Sequence, residues 1–175
     1  MAILPILEAP HPILSKKTRL VRDDEFTPEL TTLLNDMAET MYAAPGVGLA
    51  APQIGDSRRV LVADPGNQED DDGEKKPDLM LMVNPSIVER SRETITYEES
   101  CLSLPDYYLK VKRAKRIRVQ WQDLSGEPHE DSFDGFPAIV LQHEVDHLEG
   151  ITLLNHSSRL KRSRYLSRLR KRVRR

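Results

Sequence analysis

The chain contains a single cysteine, Cys101, so no disulfide can form within it. No apolar run approaches the roughly 20 residues that a transmembrane helix needs, and the first residues, Met1–Pro5, carry no basic leader. These absences predict a cytoplasmic protein without a membrane segment, in a reducing compartment where a thiol persists. No acidic residue follows Glu149. That last absence leaves the end of the chain without a carboxylate side chain and makes it strongly basic.

Residues 142–150 contain the pattern His-Glu-x-x-His. His143 and His147 are four residues apart, so on a helix they lie on one face and can share one metal ion. Glu144 lies beside them, where a carboxylate can take a proton from water without binding the metal. Apolar spacing predicts the helix, with Asp134 as its N-terminal cap and Gly150 at its end. The alternative is that both are ordinary helix histidines.

A catalytic site of this kind needs a third protein ligand. The position three residues after Gly150, where one class of zinc protease has its third histidine, is Leu153. No carboxylate follows, and the spacing of His156 matches no protease pattern. The third ligand is therefore expected upstream, where the candidates include His11, His129 and Cys101. A thiolate with two imidazoles would leave a fourth position open for water.

The segment 46–55 contains a glycine pattern that superficially resembles a dinucleotide-binding loop. Such a loop follows a strand and opens a helix. Here the order is reversed, because a predicted helix beginning at Thr27-Pro28 precedes the glycines and a strand over 59–63 follows them. Close approach of a peptide to the backbone, with Gln53 as a polar donor, fits the segment better.

Three segments together resemble the peptide deformylases. They read GVGLAAPQIG (46–55), ESCLSLP (99–105) and QHEVDHLEG (142–150), and they match the three motifs of that family in the same order. One position departs from the family pattern, since Ser100 stands where glycine is usual. The resemblance implies removal of the formyl group from the N-terminal formylmethionine of newly made polypeptides.

The resemblance also implies a role for individual residues. The metal ligands would be Cys101, His143 and His147, and Glu144 would be the general base and acid. The Gln53 side-chain amide and the Leu102 backbone N–H would stabilise charge on the formyl oxygen. Substrate contacts would come from Val47, Gly48, Ile139 and Val140. One divalent metal ion is expected, Fe²⁺ by family resemblance, although this ligand set also accepts Zn²⁺, Ni²⁺ or Co²⁺.

The predicted fold class is α+β, with mixed or antiparallel sheets packed around the His-Glu-x-x-His helix and a helix at the C-terminus. Strands are predicted near 59–63, 80–89, 94–98 and 116–122, and Pro105 is expected to end a short extended segment over 99–105. The polar segment 68–77 predicts a solvated loop. Residues 1–155 form the predicted catalytic domain, and residues 156–175 form a basic helix or tail.

The last 17 residues, 159–175, contain ten Lys or Arg and no acid. The preceding 158 residues hold 16 basic and 28 acidic residues, a formal charge of −12. A narrow apolar stripe of Leu166, Leu169 and Val173 predicts a helix. It could be a solvated helix that partly neutralises an acidic domain, or it could bind RNA phosphates. Family resemblance favours the ribosome as partner, and no DNA partner is predicted.

Two other functions compete with this interpretation. A zincin-type metalloprotease shares the His-Glu-x-x-His pattern, but its downstream third ligand is missing here. A non-catalytic RNA-binding module would explain the basic tail alone. It would leave five residues without a purpose: Gln53, Cys101, His143, Glu144 and His147.

Overall fold

The computed structural model describes residues 2–67, 73 and 75–173. Its helices are α1 (Pro28–Ala43), α2 (Phe136–Leu148), α3 (Leu153–His156) and α4 (Arg159–Val173). Its strands are β1 (Gly48–Ala50), β2 (Val60–Ala63), β3 (Met80–Arg90), β4 (Thr94–Cys101), β5 (Leu104–Ala114), β6 (Arg116–Gln122) and β7 (Pro128–Asp134). Within these ranges no helix is long and apolar enough to cross a membrane. Most of the predicted loop over 68–77 lies outside the described residues.

Five strands form one antiparallel sheet in the order β1-β2-β3-β6-β7, and β4 pairs with β5 in a separate antiparallel hairpin. The α+β prediction is confirmed. That prediction left open whether the sheets are mixed or antiparallel, and every pair of these strands is antiparallel. Helix α2 packs against the sheet and carries the His-Glu-x-x-His pattern, as predicted.

Strand β2 shows how the sheet lies between two helices. Its four residues are all fully buried, and side chains alternate between the two faces of a strand. Val60 and Val62 pack in the cluster that contains the apolar face of α1. Leu61 and Ala63 pack in the cluster that contains the apolar residues of α2. Burial on both faces explains why this segment reads as a continuous apolar run.

Two predictions about the ends of elements are wrong. Asp134 does not cap α2, because it is the last residue of β7 and its carboxylate binds Arg116 on the neighbouring strand at 2.9 Å. Gly135 takes the cap position with a φ of 66°, a backbone conformation that favours glycine. Pro105 does not end an extended segment either, because β5 begins at Leu104 and runs through it.

Helix α4 packs on the body of the protein through one face. Leu169 is buried as part of the predicted apolar stripe, Leu166 is partly buried, and the side chain of Val173 lies outside the described part of the chain. Tyr165, which the sequence prediction omitted, is also buried. These residues share a cluster with Cys101 and the apolar residues of β5 and α3. The basic helix is therefore packed next to the β4–β5 hairpin, which carries the second of the three motifs.

Candidate metal centre and cleft

Residues from two separate motifs meet at one point. Cys101 ends β4, and His143 and His147 lie one turn apart on α2. The Cys101 Sγ atom is 3.2 Å from His147 Nε2, and one ligand atom from each of the three residues lies within 4.8 Å of the others. The two imidazole rings meet edge to face with centroids 5.0 Å apart. The three side chains form a group that could hold one metal ion.

The other candidate ligands have different partners. His11 accepts a hydrogen bond from the Ile13 backbone N–H in a short turn. His129 stacks on Trp121 and binds a surface carboxylate. His156 hydrogen-bonds to Asp146 at 2.8 Å. Of the four upstream and downstream candidates, the geometry brings only Cys101 to the two helix histidines.

A buried chain of charged groups orients His143. Its Nδ1 atom is 2.8 Å from a Glu99 carboxylate oxygen, which leaves Nε2 to face the group. Arg113 donates two hydrogen bonds to Glu99, at 2.7 and 2.9 Å, and a third to Asp146 at 2.6 Å. Metal-binding histidines commonly use the second ring nitrogen in this way, which fixes the ring orientation.

The charges in the group favour a cation among the three side chains. Burial alone would raise the pKa of Cys101, but the neighbouring His147 and His143 outweigh it and lower that pKa to about 5. Burial would lower the pKa of His143, yet its bonds to Cys101 and Glu99 raise the pKa well above the ordinary value. A thiolate is the form in which cysteine binds metals.

Gln53 and Gln142 hold the motifs together. The Gln53 side-chain carbonyl accepts from the Ala50 N–H at 2.9 Å, and its amide donates to Ser103 Oγ at 3.1 Å and points to Cys101 Sγ at 3.7 Å. Gln142 bonds both the N–H and the carbonyl of Ala114, which ties α2 to the end of β5. The first glutamine presents a donor beside the cysteine, whereas the second fixes the helix.

Glu144 is only 5% exposed, and its Oε2 atom has no hydrogen-bond partner among the described residues. Burial raises the pKa of Glu144, although the charges of His143 and His147 oppose the shift. Buried carboxylate oxygens normally have a partner, so this one indicates a polar group bound beside the histidines. A thiolate and two imidazoles suit a borderline-soft divalent metal. These three ligands and the unpartnered Glu144 oxygen together fit a catalytic metal site.

The predicted site residues line a single cleft of ≈ 900 Å³, with the exception of His147, which is buried. The cleft brings together Val47, Gly48, Gln53, Cys101, Leu102, Ile139, Val140, His143 and Glu144. Leu102 lies in the turn between β4 and β5, directly after the cysteine. Segments far apart in the sequence thus meet in one place.

Residues 3–163 match the sequence profile of the polypeptide deformylase family. The chain belongs to the polypeptide deformylase family. The peptide deformylase of Zymomonas mobilis is 46% identical to it over 169 residues, covering 97% of this chain and 94% of the relative. Family members remove N-formyl groups from nascent peptides and depend on a metal, for which this chain has a Cys-His-His group.

Solved structures of deformylases have the same fold. The crystal structure of the Ehrlichia chaffeensis enzyme superposes with a TM-score of 0.87 at 33% identity, covering 98% of this chain and 97% of that one. A class I type b peptide deformylase from Acinetobacter baumannii, with Met-Ala-Ser bound, superposes with a TM-score of 0.82 at 36% identity. That match covers 89% of this chain and 99% of the other.

Sequence reasoning assigned no role to several residues of this deformylase site. Glu99 could have been identified, because it is two residues from Cys101 and side chains two apart on a strand share a face. Arg113 gave no such signal, since it lies in an alternating run of Lys and Arg that looks like an exposed surface. Only the fold brings its guanidinium against Glu99 and Asp146.

The backbone of Gly48 lies directly against the Glu144 side chain. A Cβ atom there would lie 2.7 Å from Glu144 Cδ and 2.8 Å from Cγ and would collide with Oε1. Real Cβ atoms do not approach so closely. The glycine therefore makes room for the Glu144 carboxylate.

We expect Gly48→Ala to lower kcat by about a hundredfold while the metal stays bound. The added methyl group would displace the Glu144 carboxylate without touching a metal ligand, and a misplacement of about 1 Å can cost that much. Turnover of a formyl-Met peptide, measured beside metal content and circular dichroism, checks this prediction. A near-normal kcat would show that Glu144 need not occupy its present position.

Proposed function

We propose that this chain hydrolyses the formyl group from the N-terminal formylmethionine of newly made polypeptides, giving formate and a free methionine amine. One observation carries the proposal: a Cys-His-His group lies beside a buried glutamate with an unpartnered oxygen, in one cleft of a chain from the deformylase family. A nascent chain as substrate implies a cytoplasmic site of action.

Cys101, His143 and His147 would hold the metal. When bound, the metal supplies Lewis-acid chemistry, polarising a carbonyl and lowering the pKa of water. We propose Fe²⁺ as the native ion, with Zn²⁺, Ni²⁺ or Co²⁺ as substitutes that the same ligands accept. Glu99 and Arg113 would keep His143 in the orientation that binding requires.

Glu144 would move the proton. As a carboxylate it takes a proton from a water molecule, whose oxygen adds to the formyl carbon. The same carboxyl group then gives that proton to the methionine nitrogen as the carbon–nitrogen bond breaks. The raised pKa of Glu144 suits a group that must both accept and return a proton.

The formyl oxygen gains negative charge while water adds. We propose the Gln53 side-chain amide and the Leu102 backbone N–H as donors to that oxygen, since both residues line the cleft and flank Cys101. One such preorganised donor is typically worth about 3 kcal/mol in the transition state. Gln53 is well suited, because its carbonyl is fixed by Ala50 and its amide cannot turn away.

The cleft offers the rest of the substrate site. Val47 and Gly48 would present backbone groups to the extended peptide, and Ile139 and Val140 would form an apolar wall for the methionine side chain. The Acinetobacter baumannii enzyme has been solved with Met-Ala-Ser bound, a peptide whose first residue is methionine.

The substrate preference tests the proposal against a metalloprotease. Formyl-Met-Ala-Ser, acetyl-Met-Ala-Ser and a longer peptide blocked at both ends would be incubated with the metal-loaded protein. We expect rapid release of formate from the first, slow or no reaction with the second, and no internal cleavage of the third. Cleavage of internal peptide bonds would instead support the protease.

We also propose that the outer face of α4 docks on ribosomal RNA. Arg159, Arg162 and Arg170 lie together around a shallow groove on this helix, and all three are exposed. Lys161 and Arg168, in contrast, bind the body of the protein. The helix thus has an outer face of three arginines that are available to phosphates, which are the usual partners of such clusters.

Replacing Arg159, Arg162 and Arg170 by serine should weaken co-sedimentation with ribosomes. Each lost phosphate contact lowers the slope of log affinity against log salt by roughly 0.7–0.9, so the triple variant should show a shallower slope. Peptide hydrolysis should be unchanged. The matched control replaces Arg92, Lys110 and Lys112, exposed basic residues of the hairpin region, with serine. If both triple variants lost ribosome affinity equally, net charge would explain the loss and the arginines of α4 would have no specific role.

A further inference from the structure

The inner face of α4 binds one short segment of β5. Lys161 Nζ donates to the Tyr108 carbonyl at 2.7 Å, and the Tyr165 hydroxyl donates to the Pro105 carbonyl at 3.0 Å. Arg168 donates to the Asp106 carbonyl at 3.3 Å. Three side chains of one helix thus hold three carbonyls within residues 104–108, which we call the wall segment.

Side-chain packing strengthens this attachment. Tyr165 is 3% exposed and its ring lies 4.6 Å from the ring of Tyr107, centroid to centroid. Lys161 Nζ lies 5.1 Å from the centre of the same Tyr107 ring, a distance typical of a cation–π contact. Tyr107 is therefore held by two residues of α4, one aromatic and one cationic.

The wall segment also forms part of the cleft. All five of its residues line the cleft that contains the metal-binding group. Asp106 has a φ of 57°, a left-handed conformation that residues other than glycine seldom adopt. Such conformations persist where surrounding contacts impose them. Arg168 and the neighbouring bonds from α4 are contacts of that kind.

We propose that Lys161, Tyr165 and Arg168 are positioning residues for peptide binding, because they fix the wall segment along which the substrate lies. This inference rests on the proposed deformylase function for the identity of the peptide. The wall segment carries none of the groups proposed for chemistry. Loss of its supports should therefore weaken peptide binding more than it slows the chemical step.

The test compares binding with turnover in the metal-loaded protein. Tyr165→Phe removes one hydroxyl and keeps the ring in its cluster, and Lys161→Met removes the charge at similar length. The double variant should raise KM for formyl-Met-Ala-Ser by at least about threefold, because one to two net hydrogen bonds are lost. The change in kcat should stay within about twofold, as should metal content. The Kd for the product peptide Met-Ala-Ser should rise in parallel.

Two further variants keep the test decisive. Lys171→Met makes the same change at an exposed position of the same helix and should leave KM and Kd unchanged. Arg168→Met lies at an exposed position, so this variant should fold even if the double variant does not, and it should also raise Kd. An unchanged KM and Kd in folded variants would overturn the inference, as would a loss confined to kcat. Wild-type protein that fails to release formate would instead overturn the proposed function.

Discussion

Cys101→Ala and His147→Ala are each expected to lose the metal and the activity together. Each variant removes one of three protein ligands, and the two remaining side chains cannot complete a tetrahedral site with water alone at comparable affinity. The structure makes compensation difficult, because the other described histidines are bound elsewhere. The measurement is elemental analysis of the purified variants beside formate release.

His129→Ala is the matched control for this experiment. His129 stacks on Trp121 at the surface and takes no part in the group, so its replacement should leave metal content at the wild-type level. Wild-type metal occupancy in Cys101→Ala or His147→Ala would remove that residue from the ligand set.

Glu144→Gln is expected to keep the metal and lose about 10²–10⁴ in rate, because a glutamine cannot take a proton from water. The substitution conserves shape in a crowded site, where the Glu144 carboxylate lies against Gly48. It also removes a buried group whose pKa is raised by burial, so the fold should not suffer. Single-turnover kinetics beside metal analysis measure both effects.

Glu127→Gln is the control, since Glu127 is exposed in the turn before β7 and should tolerate the change with no effect on rate. Near-normal turnover by metal-loaded Glu144→Gln would contradict the proton-transfer role. Loss of metal from that variant would show that Glu144 is itself a metal ligand, contrary to the role proposed for it.

Local patterns in the sequence were enough to predict two of the three residues in the metal group. His143 and His147 follow from helical spacing alone, and their helix follows from the apolar residues around them. Residue chemistry alone made Cys101 one of several candidates for the third ligand. It was the resemblance to the deformylases that selected it. The order of helix, glycines and strand around 46–55 also predicted that this segment is not a dinucleotide loop, and the strand β2 lies where expected.

The hairpin and the tail were harder to predict. Strand β5 begins beside Pro105 and Asp106, and Asp106 takes a left-handed conformation. A proline followed by an aspartate suggests a turn when it is read locally, and the cationic run from Lys110 to Arg113 looks like exposed surface although Arg113 is buried. The network that joins His143, Glu99 and Arg113 includes a pair 44 residues apart in sequence, so no local pattern contains it. Tyr165 looked like part of a basic surface, whereas long-range packing buries it beside Tyr107.

Deformylation of one substrate yields two products that can be measured together. Metal-loaded protein would be incubated with formyl-Met-Ala-Ser, and formate and free N-terminal amine would be quantified together. We expect equal amounts of the two products from the wild-type protein and a rate lower by about 10²–10⁴ for Glu144→Gln at equal metal content. If wild-type protein with metal bound at Cys101, His143 and His147 released no formate, the proposed deformylase function would be wrong.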